Sequence, residues 1–241
     1  AVAVTNAQLI KEMDNLFDSF VQVMATAIDE KSPVTGGHIR RVANMTLTFA
    51  DILTKNQDKY KDISFNEDQI HELRIAAWMH DIGKVTTPVE VVEKAKKLQT
   101  IFDRIEFVDL RLCFIIEQME KSFLNEKIKI LQNGSDPKKV SKLEDQQKIK
   151  RQELMNIREF INQCNNPGEF LEDEKIARLE EISKMTWTDF DGKEQTFLND
   201  DEVLNLSIRR GSITESERKK MQNHAAVTLK MLKKIPFTKK L

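Results

Sequence analysis

Ala76-Ala77-Trp78-Met79-His80-Asp81-Ile82-Gly83-Lys84 is the stretch from which the chain is best read. Its apolar positions continue a 3-4-3 series, Ile70, Leu73, Ala77 and His80, which predicts a helix that ends at Gly83. A histidine beside an aspartate offers a neutral nitrogen and an anionic oxygen from one turn of backbone. That pairing suits a divalent metal such as Mn, Fe, Mg or Zn. Lys84 is placed to meet a phosphate held against such a metal. A lysine just past a helix C-terminus is also favoured by the macrodipole alone, so both readings stay open.

The other histidines decide what the pair means. His38 lies on the stripe His38, Val42, Met45, Phe49, Ile52, and His224 on the stripe Met221, His224, Thr228, Met231, Ile235. His71 precedes His80 by nine residues, about 900° of helix at roughly 100° per residue, and so faces the other way. Three imidazoles from three helices are therefore expected to share an interior. They are either hydrogen-bonded core histidines or part of a metal site, and leaving several buried without a partner would be costly.

The remaining sequence is helical in pattern. Hydrophobic residues make up 40% and charged residues 32%, with only seven Gly and five Pro, which fits long charged helices. A net charge of -1 argues against nucleic acid or an anionic membrane as a bulk electrostatic partner. Cys113 and Cys164 are too few for a disulfide framework, and no apolar run is long enough to span a bilayer, so a cytoplasmic setting is expected. Alanine rather than methionine stands first, inside what reads as a helix, so the chain is expected to be a piece of a longer protein.

Residues 1–31 carry Leu9, Met13, Leu16, Phe20, Val23 and Ala27 at 4-3-4-3-4 spacing. This is a seam for a neighbouring helix, in the same chain or in a partner such as a second copy. Ser32-Pro33 breaks the helix, with Pro33 placed to open the next one. Leu98, Ile101, Ile105, Val108, Leu112, Ile115 and Met119 form a further heptad run. The Asn133–Pro137 turn joins it to a return limb from Val140 to Cys164 that is polar at Gln147 and Lys150. The expectation is an antiparallel helical hairpin on the order of 40–50 Å long, loosely packed at its far end. Residues 169–185 read as a short helix, and 187–197, centred on Asp191-Gly192, as one small β-hairpin. Thr214-x-x-Glu217 is a capping box that opens the last helix. The fold class expected is all-α.

Three blocks resemble the HD-GYP domain, a branch of the HD superfamily of metal-dependent phosphohydrolases. They are Ser32–Val42, with a histidine ahead of an Arg-Val pair; Ala76–Lys84 followed by Thr87-Pro88; and Gly211–Glu215 with Met221–Ala225. Ile235-Pro236-Phe237 sits where the family has a similar turn, and Ala1–Leu9 is similar to the closing helix of a GAF-like sensor domain. The resemblance implies an HD-domain helical bundle and a cytoplasmic phosphodiesterase for a cyclic dinucleotide, cyclic di-GMP in the family. It implies His38, His80, Asp81 and His224 as metal ligands, Asp81 bridging two ions of Fe, Mn or Mg, and Lys84 on the scissile phosphate. Val34, where three-metal members carry glutamate, favours two ions. The family's later ligand segments and its Gly-Tyr-Pro loop are absent from the sequence up to Leu241, which implies an incomplete site and a fragment inactive alone. The resulting plan is a signalling helix at 1–31, the HD core at 32–97, a helical insertion at 98–205 and the rest of the core at 206–241. The insertion is expected to carry a partner, cover the site or mediate dimerisation. The alternatives are a one-metal HD phosphohydrolase on another nucleotide and a non-enzymatic signalling scaffold.

Overall fold

The computed structural model describes residues 2–31, 36–56, 58–134, 136–168 and 170–235. The helices, in chain order, are α1 (Val2–Asp29), α2 (His38–Lys55), α3 (Glu67–Met79), α4 (Val89–Val92), α5 (Ile105–Gln132), α6 (Pro137–Asn165), α7 (Asp173–Ser183), α8 (Asp200–Leu206) and α9 (Glu215–Leu232). A 3₁₀ turn spans Ile82–Thr86, and the short strands β1 (Thr186–Thr188) and β2 (Glu194–Thr196) pair antiparallel. The all-α reading holds, and the small hairpin falls where the Asp191-Gly192 turn puts it. None of the described helices is long and apolar enough to cross a membrane.

The chain forms two compact units. Ala1–Glu93 and Glu215–Leu241 make the first, and Lys94–Thr214 the second. The divisions at 93/94 and 214/215 lie four and nine residues from the breaks read in the sequence at 97/98 and 205/206. Lys94 and Lys97 are buried among second-unit groups, Lys94 Nζ donating to Asn205 Oδ1 at 2.8 Å and Lys97 Nζ to the Leu206 carbonyl at 3.0 Å.

In the first unit, Val21 and Ile28 of α1 pack with Ile75 and Met79 of α3 and with Ile82. α3 is opened by Asn66, whose side chain accepts from the Gln69 amide at 2.8 Å while Gln69 Oε1 accepts from the Asn66 amide at 3.0 Å. Two expectations are corrected here. α3 ends at Met79, and Gly83 lies inside the 3₁₀ turn rather than stopping the helix. The buried face of α2 is Ile39, Ala43 and Ala50, while Met45, Phe49 and Ile52 of the expected stripe are exposed. The face that meets neighbouring elements is thus lined by small alanines, and the larger side chains of the stripe point away from it. Pro33, Val34, Pro236 and Phe237 lie outside the described residues.

The second unit is built on the α5–α6 pair. Asp109–Arg158, Glu120–Arg151 and Lys127–Glu144 join the two helices in opposite sequence order, as an antiparallel hairpin requires. Each helix is about 42 Å long at 1.5 Å per residue. The core gathers Val108, Leu112 and Ile115 with Leu154, Ile161, Leu179, Leu198 and Leu206. Towards the turn, Leu124, Ile128 and Ile149 are exposed, while Leu143 on the seam of the return limb is buried. The heptad run does not begin at Leu98. Residues 98–104 form turns, and Ile101 is 92% exposed while Leu98 is fully buried. Leu98 is fixed by its amide, which donates to Asn165 Oδ1 at 2.8 Å, not by helical phase. α8, absent from the sequence reading, starts at a second capping box, Asn199-x-x-Glu202.

Candidate metal centre

The site belongs wholly to the first unit. His38 is the first residue of α2, His80 caps the C-terminus of α3, Asp81 precedes the 3₁₀ turn and His224 projects from α9. Each is placed by local chemistry. Gly37 supplies no side-chain cap for α2, and the buried Asp29 of α1 takes that role, accepting from the Ile39 amide at 3.3 Å. Lys31, just past α1, donates to the carbonyls of Val85 at 2.7 Å and Thr87 at 3.0 Å, tying down the chain after Lys84.

α9 is brought in by Gly83. A Cβ there would stand 2.0 Å from the His224 carbonyl oxygen and 2.6 Å from the Thr228 amide nitrogen. Only glycine permits this approach, and the Gly83 amide uses it to donate to Thr228 Oγ1 at 3.0 Å. The docking of α9 by Gly83 and Thr228 is thus what carries His224 to Asp81.

Asp81 is the centre of the cluster and is 6% exposed. Its Oδ2 lies 3.0 Å from His80 Nε2, 3.7 Å from His38 Nε2 and 2.7 Å from Lys84 Nζ, and its Oδ1 lies 3.4 Å from His224 Nε2. Burial pushes the Asp81 carboxyl up. The hydrogen bond from Lys84 and the charges of His80, Lys84 and His224 outweigh this and hold it below the ordinary aspartate value of 3.8. The His38 and His80 rings meet edge-on at 5.8 Å.

The tautomers follow from the partners. His80 Nδ1 faces the Ala77 carbonyl at 2.8 Å, and His224 Nδ1 faces the Met221 carbonyl. A carbonyl only accepts, so each Nδ1 is the donor and each Nε2 faces Asp81. A carbonyl behind a histidine is the usual support of a metal ligand. The donor set therefore fits a divalent metal. Among the described residues, His38, His80 and Asp81 form the group whose ligand atoms all lie within 4.8 Å of one another. His224 stands outside that triangle, on the other carboxylate oxygen.

All five residues singled out in the sequence thus meet in one place, and His71 is elsewhere, 3.8 Å from Asp18 of α1. His38 arrives by its place at a helix start, not by a shared apolar stripe. Sequence reading missed Asp29, Lys31 and the contact between Gly83 and Thr228. A glycine inside an otherwise bulky stretch was the one available signal.

Fold and site together are those of an HD domain with residues that could hold a metal. A model of the HD domain family matches residues 35–157, just over half of the 241 residues, and the chain belongs to that family. A probable cyclic di-GMP phosphodiesterase of Vibrio cholerae serotype O1 is 33% identical over 87 residues, a segment that is 36% of this chain and 19% of that protein. No solved structure matches.

Proposed function

We propose that the chain is the HD-GYP-type phosphodiesterase region of a cytoplasmic signalling protein, with a cyclic dinucleotide, cyclic di-GMP by similarity, as substrate. The observation that carries this reading is the convergence of three Nε2 atoms on the two oxygens of one buried aspartate. In this reading His38, His80, Asp81 and His224 would hold the metal. The bound cation supplies Lewis acidity towards a phosphodiester and activates water at neutral pH.

The chain's own groups do the rest. The carbonyls of Ala77 and Met221 engage Nδ1 of two imidazoles and orient each Nε2 towards Asp81. Asp81 stays anionic at neutral pH. Lys84, paired with Asp81 at 2.7 Å, would offer its ammonium to a substrate phosphoryl oxygen. A GAF-like sensor domain acting through α1, and the second unit as an addition to the HD core, complete the proposal.

Because the resemblance implies an incomplete site in this chain alone, the test is cyclic di-GMP turnover by the chain expressed with its native C-terminal extension and loaded with Mn or Fe, beside Asp81→Asn and Lys84→Met. Linear dinucleotide or GMP formed by the wild type and lost in Asp81→Asn is the expected result. Absence of turnover with metal bound and the fold intact overturns it. The tight triangle of His38, His80 and Asp81 favours a second reading, a one-metal phosphohydrolase. Elemental analysis separates the two, since one equivalent of metal per chain supports the second and two the first.

A further inference from the structure

We infer that α1 is a dimerisation helix whose exposed apolar seam pairs in parallel with the same seam of a second copy of this chain. This rests on α1 alone and stands whether or not the chain is a phosphodiesterase. α1 is apolar on two faces. One face, Val21, Ala25 and Ile28, is buried in its own unit. The seam lies about 140° away around the helix, given roughly 100° per residue. There Leu9, Met13, Leu16, Phe20 and Val23 are between 53% and 71% exposed, and no other part of the described residues covers them. A helix apolar on opposite sides is stable when both sides are covered.

The N-terminal half of α1 strengthens the case, because every residue from 4 to 16 is exposed. A helical stretch of that length standing clear of its own unit is marginal in water without tertiary support. α1 carries only five charged residues, Lys11, Glu12, Asp14, Asp18 and Asp29, and none lies on the seam. Identical seams therefore meet across a two-fold axis without like-charge repulsion.

Three observations select a second copy and set its direction. The 4-3-4-3-4 spacing is that of alternating core positions in a left-handed coiled coil. Counting back along it puts the exposed Asn6 on the same series, in phase with Met13, Phe20 and Ala27. An asparagine at that heptad position pairs with its own copy in parallel two-stranded coils and fixes their register. The five seam side chains offer on the order of 650 Å² per copy, or about 1,300 Å² for the pair, inside the roughly 1,200–2,000 Å² range of stable interfaces.

Sedimentation velocity of the whole chain over a concentration series tests the inference, alongside a Leu16→Glu, Phe20→Glu double variant. Both substituted positions are exposed, so the far-UV spectrum should be unchanged while dimer dissociation becomes easier by at least about tenfold. A Leu9→Cys variant with Cys113→Ser, to remove the exposed native thiol, reports direction. In a parallel pair the two Leu9 positions face each other and oxidise to a covalent dimer. In an antiparallel pairing over the seam they stand apart and do not. A wild-type chain that stays monomeric, a dimer indifferent to the double glutamate variant, or a dimer in which Leu9→Cys fails to cross-link each overturns the inference.

Discussion

The two units hold themselves together in different ways. Lys94–Thr214 is one uninterrupted run of chain, closed around a large apolar core and laced by ion pairs between α5 and α6. The first unit joins Ala1–Glu93 to Glu215–Leu241 and encloses a smaller core. It converges instead on Asp81, where the crucial contact joins Gly83 to Thr228, 145 residues apart. One unit is organised by apolar burial and the other by a polar site. The comparison teaches that the metal centre depends on chain elements remote in sequence, on either side of the second unit. Trp78 lies in the first unit and Trp187 in the second, so single-tryptophan variants report on each.

The strongest way to break the comparison is Gly83→Val. Its side chain would collide with the backbone of α9, and we expect a loss on the order of 3 kcal/mol or more. Trp78 should report that loss in urea unfolding, with Mn binding by calorimetry abolished and the Trp187 transition in place. If the two transitions move together, the units are not independent. Leu154→Ala is the converse. Leu154 is 2% exposed in the second core, and its truncation should cost about 2–5 kcal/mol in the Trp187 transition while metal affinity stays unchanged.

A milder probe of the site is Thr228→Val. It keeps the shape but leaves the buried Gly83 amide without its acceptor. The expected cost is about 1–3 kcal/mol, accompanied by weaker metal binding through the displaced His224.

The smallest effect is a pH dependence belonging to the second unit. Burial lowers the pKa of Lys97 below its ordinary 10.5, against an opposing pull from Cys164. The unfolded chain therefore holds this proton to higher pH than the folded one. Lys97 should make stability rise as pH climbs from its depressed folded value towards 10.5. Lys97→Met should remove that rise from the difference between variant and wild-type unfolding curves.

Much of the molecule was legible beforehand because it is encoded locally. The α5–α6 hairpin follows from heptad spacing on either side of an Asn-Gly turn, and β1–β2 from Asp191-Gly192. His80-Asp81 and its companions could be named because imidazole and carboxylate are chemically conspicuous. The errors have one source. Periodicity registers which residues are apolar, but not which face finds a neighbour. It placed Met45 and Phe49 of α2 inside, where Ala43 and Ala50 are buried instead. It began a helix at Leu98, where side-chain amides and buried lysines hold turns.

The sequence by itself determined the all-α class, the hairpin, the residues capable of holding a metal and the seam on α1, because each is written in local spacing or residue chemistry. Only the tertiary structure decided that Gly83 admits α9, that Asp29 caps α2 and that both oxygens of Asp81 are addressed from different helices. These are contacts between distant segments, fixed by sterics and by the need to pair buried polar groups, and no local pattern records them.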